Sequence, residues 1–316
     1  MKSSFVFLLC IVVISAIIIF FITKKMEVPK PKIVVVLKDL DTQYWEIVKA
    51  GAEKGFQDFG IDGEVIAPST ESEEADHEEM LKKILFEKPD VLVCAPIEVP
   101  KYMSVLEEFI EDKIPVLLLD TNIPLEGKAS YIGTDNYKLG RKAGELLASE
   151  LYPGDEVAVI AGNMTSQVSG ERVKGAKLSL EEAGIIIASE KVDLPNESVP
   201  VKQAMKEILQ NHPNVKGVIA TTDIMALNAF DQLEAQGKKM PVIGADGIIE
   251  MVKLVDEGKL PGTVAQNPYD MGYLSVQAAM KVAKGNNVDS VIDSGVDIIV
   301  KGNGNERMNF LKNVLE

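Results

Sequence analysis

Short apolar runs alternate along this chain with longer segments whose apolar residues recur at helical spacing. The run at 33–37, Ile-Val-Val-Val-Leu, indicates a strand buried on both faces, as in a parallel sheet covered by helices. The next segment has an apolar stripe, Asp41 or Thr42 as its expected N-cap and Gly60 at its end. Strands are predicted at 33–37, 64–67, 91–95, 116–119, 157–161, 185–189, 218–221, 242–245 and 263–266. Further helices are predicted at 72–86, 103–110, 170–182, 201–210, 225–236, 249–257 and 270–284.

This alternation predicts an α/β fold with doubly wound parallel sheets. The strand and helix order occurs twice, and the two copies keep a constant spacing: Gly175 follows Gly51, and Gly184 follows Gly60, by 124 positions. Such a period is longer than the roughly 20–50 residues of a solenoid repeat. We therefore predict two duplicated domains, with the segments at 263–266 and 270–284 exceeding the repeat and crossing between them.

Each copy also contains a proline, a short apolar run and an aspartate. Residues 115–121 read PVLLLDT and include Asp120, and residues 241–247 read PVIGADG and include Asp246. In open α/β sheets, ligands bind outside the carboxyl ends of the strands. Two aspartates at equivalent strand ends therefore predict one pocket shared by two lobes.

Residues 1–26 are predicted to form a membrane anchor. The eighteen residues 5–22 carry no charge, and at about 1.5 Å each they would span roughly 27 Å of bilayer. No A-x-A-like cleavage site follows, so an uncleaved transmembrane helix is the first interpretation and a cleaved signal peptide the second. Residues 27–32, with two prolines, are interpreted as a tether. Lysines lie mainly after the span, which by the positive-inside rule favours a cytoplasmic domain, although large domains translocate regardless of nearby charge.

Composition indicates a globular protein that does not bind nucleic acid. The 316 residues are 46% hydrophobic and 26% charged, which allows roughly two domains with sizeable cores. The formal net charge of −15 is opposite to the basic surface that a nucleic-acid backbone requires. Cys10 lies in the apolar N-terminal segment and Cys94 in a predicted strand, so no disulfide is expected.

The sequence provides no pattern for metal, phosphate or nucleophilic chemistry. Residues 162–164, after the first strand of the second copy, match neither a dinucleotide-binding nor a P-loop motif. His77 and His212 both lie in sequence typical of the surface, and no metal-ligand spacing is present. No cofactor, metal site or catalytic residue is therefore expected.

Several short motifs resemble those of the type I periplasmic sugar-binding proteins, and of the ribose-binding family most closely. The similarity runs from about Lys32 to Lys301. It implies two lobes joined by a hinge of three crossovers, with lobe boundaries at 33–134 plus 267–294 and at 135–266 plus 295–316. The motifs that carry it are Asp120, Gly-Thr-Asp-Asn at 133–136, Glu171-Arg172-x-x-Gly175, Asp-x-Met-Ala at 223–226, Gly-Ala-Asp-Gly at 244–247 and Thr-Val-Ala-Gln at 263–266.

The resemblance also implies a set of ligand-contacting positions. The carboxylates would accept hydrogen bonds from sugar hydroxyls, and Tyr44 or Trp45 would cover the apolar face of a ring, with core packing as the alternative, more so for Trp45. The family has arginines where this chain has Thr121 and Gly170, an asparagine where it has Thr222 and an aromatic residue where it has Ala245. The implied contacts are Lys38, Thr42, Tyr44, Trp45, Asp120, Thr121, Gly170, Arg172, Leu194, Thr222, Asp246 and Gln266.

The sequence leaves three classes of function open. The first is an extracytoplasmic solute-binding protein, held at the cell membrane by its N-terminal helix or secreted after cleavage. It would capture a sugar or polyol for the permease of an ABC importer, or alternatively for a membrane sensor kinase. The second is a glycoside hydrolase that uses Asp120 and Asp246 as an acid/base pair. The third is a lactose-repressor-type core, which the acidic charge and the N-terminal span disfavour.

Overall fold

The computed structural model describes residues 30–68, 74–96 and 100–315. The anchor predicted at 1–26 lies outside these residues. Among the residues that are described, no helix combines the length and the apolar character needed to cross a bilayer.

The described elements alternate between strand and helix over most of the chain. In chain order the first are β1 (Lys32–Val36), α1 (Gln43–Phe59), β2 (Asp62–Ile66), α2 (Glu74–Glu87), β3 (Val91–Cys94), α3 (Pro100–Glu111), β4 (Val116–Leu119) and β5 (Ser130–Gly133). They continue with α4 (Asn136–Ala148), β6 (Glu156–Ile160), α5 (Gln167–Glu182), β7 (Ile186–Lys191), α6 (Ser198–Asn211), β8 (Val215–Ala220), α7 (Asp223–Ala235) and β9 (Val242–Asp246). The last are α8 (Ile249–Asp256), β10 (Gly262–Gln266), α9 (Pro268–Ala283), β11 (Val291–Asp293), β12 (Val296–Val300) and α10 (Gly304–Leu315).

The strands form two six-stranded sheets, one for each lobe. Their orders are β11-β5-β4-β3-β1-β2 and β12-β10-β9-β8-β6-β7. Among the described strands, every pairing is parallel apart from β10 with β12, which is antiparallel. The predicted parallel sheets therefore include one antiparallel edge strand that the sequence did not predict. Four of the five β12 residues are at least partly exposed, and the edge strand therefore lacks the continuous apolar run that marks a buried one.

The chain passes between the two sheets three times. It leaves the first sheet after β5, returns between β10 and α9, and crosses again between β11 and β12. The strand predicted at 263–266 stays in the second sheet, whereas the helix predicted at 270–284 packs on the first lobe beside α1. The second crossing thus lies at 266–268, between these two elements.

The repeated glycines allow the same close helix contact in each lobe. A methyl group at Gly51 of α1 would overlap the carbonyl oxygen of Tyr269 in α9. A methyl group at Gly175 of α5 would likewise overlap the carbonyl oxygen of Tyr137 in α4. The constant spacing in the sequence therefore reflects two helix pairs whose backbones touch, a geometry that only glycine permits.

The structure shows the surroundings of two buried residues of the first lobe, His77 and Cys94. The prediction that His77 lies on the surface is wrong, because the residue is fully buried and its ring packs edge-on against Tyr102, 5.7 Å away. Its segment is acidic, but the histidine faces the core side of α2. Cys94 is a free, buried thiol whose sulfur lies 2.7 Å from the Tyr102 hydroxyl oxygen.

Candidate functional site

Asp120 and Asp246 both adopt backbone conformations that are uncommon for residues with a side chain. Asp120 directly follows β4 with φ of 62°, and Asp246 ends β9 with φ of 115°. Such conformations persist where surrounding contacts enforce them, and they cluster at functional sites. Both carboxylates are aimed from the carboxyl ends of their strands, one from each lobe.

In the first lobe, Asp120 is held by three side chains. Its Oδ1 accepts a hydrogen bond from the Tyr44 hydroxyl at 2.8 Å, and its Oδ2 accepts one from the Thr121 hydroxyl at 3.0 Å. Lys38 Nζ lies 3.5 Å from Oδ2 and donates to the Thr121 hydroxyl oxygen at 3.0 Å. The result is a carboxylate fixed in orientation beside an ammonium group.

In the second lobe, Arg172 holds the Asp246 carboxylate in place. Its Nη1 donates to Asp246 Oδ1 at 3.0 Å and to the Thr221 carbonyl oxygen at 2.6 Å, while its Nε donates to Asn136 Oδ1 at 2.9 Å. Gln266 Nε2 donates to the same Asp246 oxygen at 2.7 Å. The guanidinium is almost wholly buried, so this ion pair is shielded from solvent.

Two contacts show that the lobes meet at the site. The Tyr44 hydroxyl oxygen of the first lobe lies 3.5 Å from Gln266 Oε1, at the end of a second-lobe strand. The backbone N–H of Ile249 in the second lobe donates to Gln43 Oε1 of the first at 3.1 Å. A continuous set of polar side chains therefore joins Asp120 through Tyr44 and Gln266 to Asp246.

Burial and charge set the protonation of this cluster. Burial, and next the charge of Asp120, raise the pKa of Tyr44 well above its usual value, so Tyr44 stays a hydrogen-bond donor. Burial also raises the pKa of Asp246, while the charge of Arg172 acts against that rise. With Lys38 beside Asp120 and Arg172 beside Asp246, each carboxylate has its own cation.

Asp223 supports the turn that carries Asp246. It is fully buried, and its carboxylate accepts from the backbone N–H groups of Gly247 at 2.6 Å and Ile248 at 2.9 Å, and from the Thr263 hydroxyl at 2.6 Å. Burial and then the Asp246 charge raise its pKa well above the usual value. The sequence motif at 223–226 contains this aspartate, but nothing in the pattern indicates its role.

Two predicted contacts next to Tyr44 do not face the two carboxylates directly. Trp45 is buried in the first-lobe core, as the core-packing alternative expects, with its ring edge-on to Tyr44 at 5.0 Å and with Lys38 Nζ over the ring, 5.7 Å from its centroid. Thr42 is exposed and occupies the N-cap position of α1, but its side chain makes no cap bond. Asp39 accepts the bonds instead, from the N–H groups of Asp41 and Thr42 and from the Thr42 hydroxyl.

Thr222 lies on the second lobe, where its hydroxyl oxygen accepts from the N–H of Met225 at 3.2 Å and so caps α7. The same hydroxyl donates to Asn196 Oδ1 at 2.8 Å. Gly170 and Leu194 are partly buried, Gly170 within α5 and Leu194 in the loop after β7. The predicted side chains that polar contacts bring together are Lys38, Tyr44, Asp120, Thr121, Arg172, Asp246 and Gln266.

In the described part of the chain, no cluster of three or more histidine, cysteine, aspartate or glutamate residues is placed to hold a metal ion. The site consists of paired charges, a tyrosine and an amide. These are groups that donate to and accept from hydroxyls.

Comparisons with known proteins agree with this architecture. The family described as "Periplasmic binding protein domain" matches residues 33–287. The D-ribose/D-allose-binding protein of Pseudomonas aeruginosa is 27% identical, over 85% of this chain and 89% of that protein. The ribose import binding protein RbsB of Escherichia coli is 26% identical, over 86% of this chain and 91% of that protein.

Solved structures share the fold. The crystal structure of GanP, a glucose-galactose binding protein from Geobacillus stearothermophilus, superposes with a TM-score of 0.78 at 28% identity, covering 86% of this chain and 97% of that one. A solute-binding protein from Actinobacillus succinogenes, solved with bound D-allose, has a TM-score of 0.79 at 23% identity and covers 88% of this chain and all of that one. These proteins are all named for binding and not for catalysis.

Proposed function

We propose that this chain, which belongs to the family of periplasmic binding protein domains, captures a sugar or sugar-like polyol between its two lobes. The observation that carries the proposal is the pair of carboxylates, Asp120 and Asp246, held at facing strand ends and joined through Tyr44 and Gln266. The relatives named for ribose and allose support the ligand class.

The chemistry of the site suits a neutral polyhydroxylated ligand. A carboxylate held in one orientation accepts hydrogen bonds from ligand hydroxyls, and bonds of this kind contribute about 1.5–3 kcal/mol each. Lys38, Arg172 and Gln266 can donate to ligand oxygens. Because each carboxylate already has a cation beside it, the site does not need a charged ligand for balance.

The ligand is proposed to differ from ribose in how it is held. Thr121 stands where the ribose-binding family has an arginine, and its hydroxyl is engaged by Lys38 and Asp120. Gly170 stands at another arginine position and leaves that place without a side chain. We therefore assign Lys38 and Arg172 as the cations of the site, and Thr42, Trp45 and Thr222 to its margins.

The proposed role is delivery of the sugar to an ABC importer, on the extracytoplasmic side of the membrane, with the predicted anchor at 1–26 retaining the protein there. Relatives named as import binding proteins support the importer. A membrane sensor kinase is the alternative receiver of the same ligand. The glycosidase interpretation of Asp120 and Asp246 is not favoured, since the relatives are named as binding proteins and not as enzymes.

A thermal-shift screen tests the ligand class. Pentoses, hexoses and inositols are added to the full chain, with glycerol as the small-polyol control. A ligand at one hundred times its Kd is expected to add about 2.7 kcal/mol of stability, which raises the Tm by several degrees and in proportion to the logarithm of concentration. Glycerol shows the concentration at which any small polyol raises the Tm non-specifically. If no sugar raises the Tm below that concentration, the proposal is contradicted.

A further inference from the structure

The C-terminal helix α10 is fastened to the second lobe. It follows the edge strand β12 and packs against α8. Leu311 is fully buried, Met308 packs against the second-lobe core, and Asn305 Nδ2 donates to Asp256 Oδ1 at 3.2 Å. Helix α10 therefore moves with this lobe.

From that position Arg307 reaches the two segments that carry Asp246 and Gln266. Its Nη2 donates to the Gln266 carbonyl oxygen at 2.7 Å, and its Nη1 donates to Asn267 Oδ1 at 3.2 Å. A Cβ atom on Gly247 would lie 3.6 Å from the same Nη2. The Arg307 guanidinium therefore lies against the backbone next to both site residues, at Gln266 itself and beside Gly247, which follows Asp246.

Arg307 is also linked to the other crossings of the hinge. Asn267 Nδ2 donates to the Ser294 carbonyl oxygen at 3.2 Å, in the crossing between β11 and β12. The Ser294 hydroxyl lies 3.3 Å from the hydroxyl oxygen of Thr134, in the crossing after β5. One chain of polar contacts therefore runs from α10 through all three crossings.

The next turn of α10 contacts the first lobe. The Phe310 ring packs edge-on against Tyr269 at 5.5 Å, and Tyr269 begins the helix α9 that lies on α1. Helix α10 also packs directly against α1. A helix that is fixed to one lobe and touches the other must change those contacts when the lobes rotate.

We propose that α10 is a strap across the hinge: Arg307 is a positioning residue for Gln266, and Phe310 holds the first lobe in the arrangement seen here, in which the two lobes touch at the site. Any effect of these contacts on ligand affinity rests on the proposed function. Their effect on how the two lobes are held together does not, because it exists without ligand. The first lobe opens more readily once these two contacts are removed.

Distance measurement by double electron–electron resonance tests the strap without any sugar. Spin labels are placed on Asp41→Cys and Ser198→Cys, exposed positions at the cleft ends of the two lobes, in full chains carrying Cys10→Ser. Burial raises the pKa of the Cys94 thiol to about 12, so this buried residue does not take a label. Strap variants are Arg307→Gln with Phe310→Ala, and Phe310→Ala alone; exposed Asn309→Ala is the control on the same helix.

In the wild type, most molecules are expected to show a short distance between the two labels. The fraction with this short distance is expected to fall by about fivefold or more in the double variant, less in Phe310→Ala, and not in Asn309→Ala. Circular dichroism melting establishes that each variant is folded. Should the double variant not fold, Phe310→Ala alone decides, since its ring is already 41% exposed. Distances that match the wild type in folded strap variants, or an equal shift in the control, would overturn the strap. A flat sugar screen would leave the distance result intact and contradict only the proposed function.

Discussion

Replacing Asp246 with asparagine is expected to lower the free energy of unfolding by about 3 kcal/mol, since an ion pair broken on one side leaves a buried charge uncompensated. The Arg172 side chain is only 3% exposed, and its Nη1 lies 3.0 Å from the Asp246 carboxylate. Asparagine keeps the shape of the side chain and tolerates positive φ, so the variant removes mainly the charge. Urea denaturation of wild type and variant measures the loss.

Asp120→Asn is the matched control from the other lobe. The carboxylate of Asp120 lies 3.5 Å from a lysine that is 15% exposed, and that ammonium can turn toward water when its partner is lost. The expected loss is about 1 kcal/mol. Equal losses in the two variants would contradict the prediction that the Arg172–Asp246 pair contributes more to the free energy of unfolding than the Lys38–Asp120 pair.

Gly175→Ala is expected to cost about 3 kcal/mol, at the upper end of what overpacking costs. The added methyl group meets the carbonyl oxygen of Tyr137 on α4, which is backbone and cannot rotate away. Helix α5 would have to move off α4, and it carries Arg172 with it. The change in denaturation midpoint at constant slope measures this loss.

Gly170→Ala is the control in the same helix. Its new methyl group would have a single close neighbour, the Met164 carbonyl oxygen at 3.1 Å, which belongs to a loop. Alanine is the better helix former by about 1 kcal/mol, so this variant is expected to be as stable as the wild type or more so. If both substitutions were tolerated alike, the repeated glycines would not be explained by helix contact.

Most buried strands were predictable because each is a run of aliphatic residues closed by a proline or a glycine signal, as in 116–119. The buried strand β5, Ser-Tyr-Ile-Gly, was missed because it has no such run. The edge strands β11 and β12 were also missed, because β11 has only three residues and Asp297 interrupts the apolar residues of β12. Helix α10 begins with glycine and asparagine and buries only Gly304 and Leu311 completely, so its apolar stripe is too weak to mark it. Its importance comes from Arg307, whose contacts lie about forty positions earlier in the chain.

The site was predictable where chemistry and strand ends coincide, as at Asp120 and Asp246. Tyr44 and Trp45 could not be separated by pattern alone, yet neighbouring positions on a helix point about 100° apart. The first therefore meets Asp120, and the second enters the core. Asn136 and Asp223 were missed as supports because their roles depend on partners that only the folded chain brings near them.

Isothermal titration calorimetry of the sugar that the screen identifies, on wild type, Asp120→Asn and Asp246→Asn, tests most directly whether both lobes hold one ligand. Each variant is measured well below its melting temperature, so that the protein is folded. Both substitutions are expected to weaken binding at least tenfold, about 1.4 kcal/mol each, because each removes a charged acceptor from a different side of the same ligand. Wild-type affinity in both variants would contradict a ligand held between these two carboxylates.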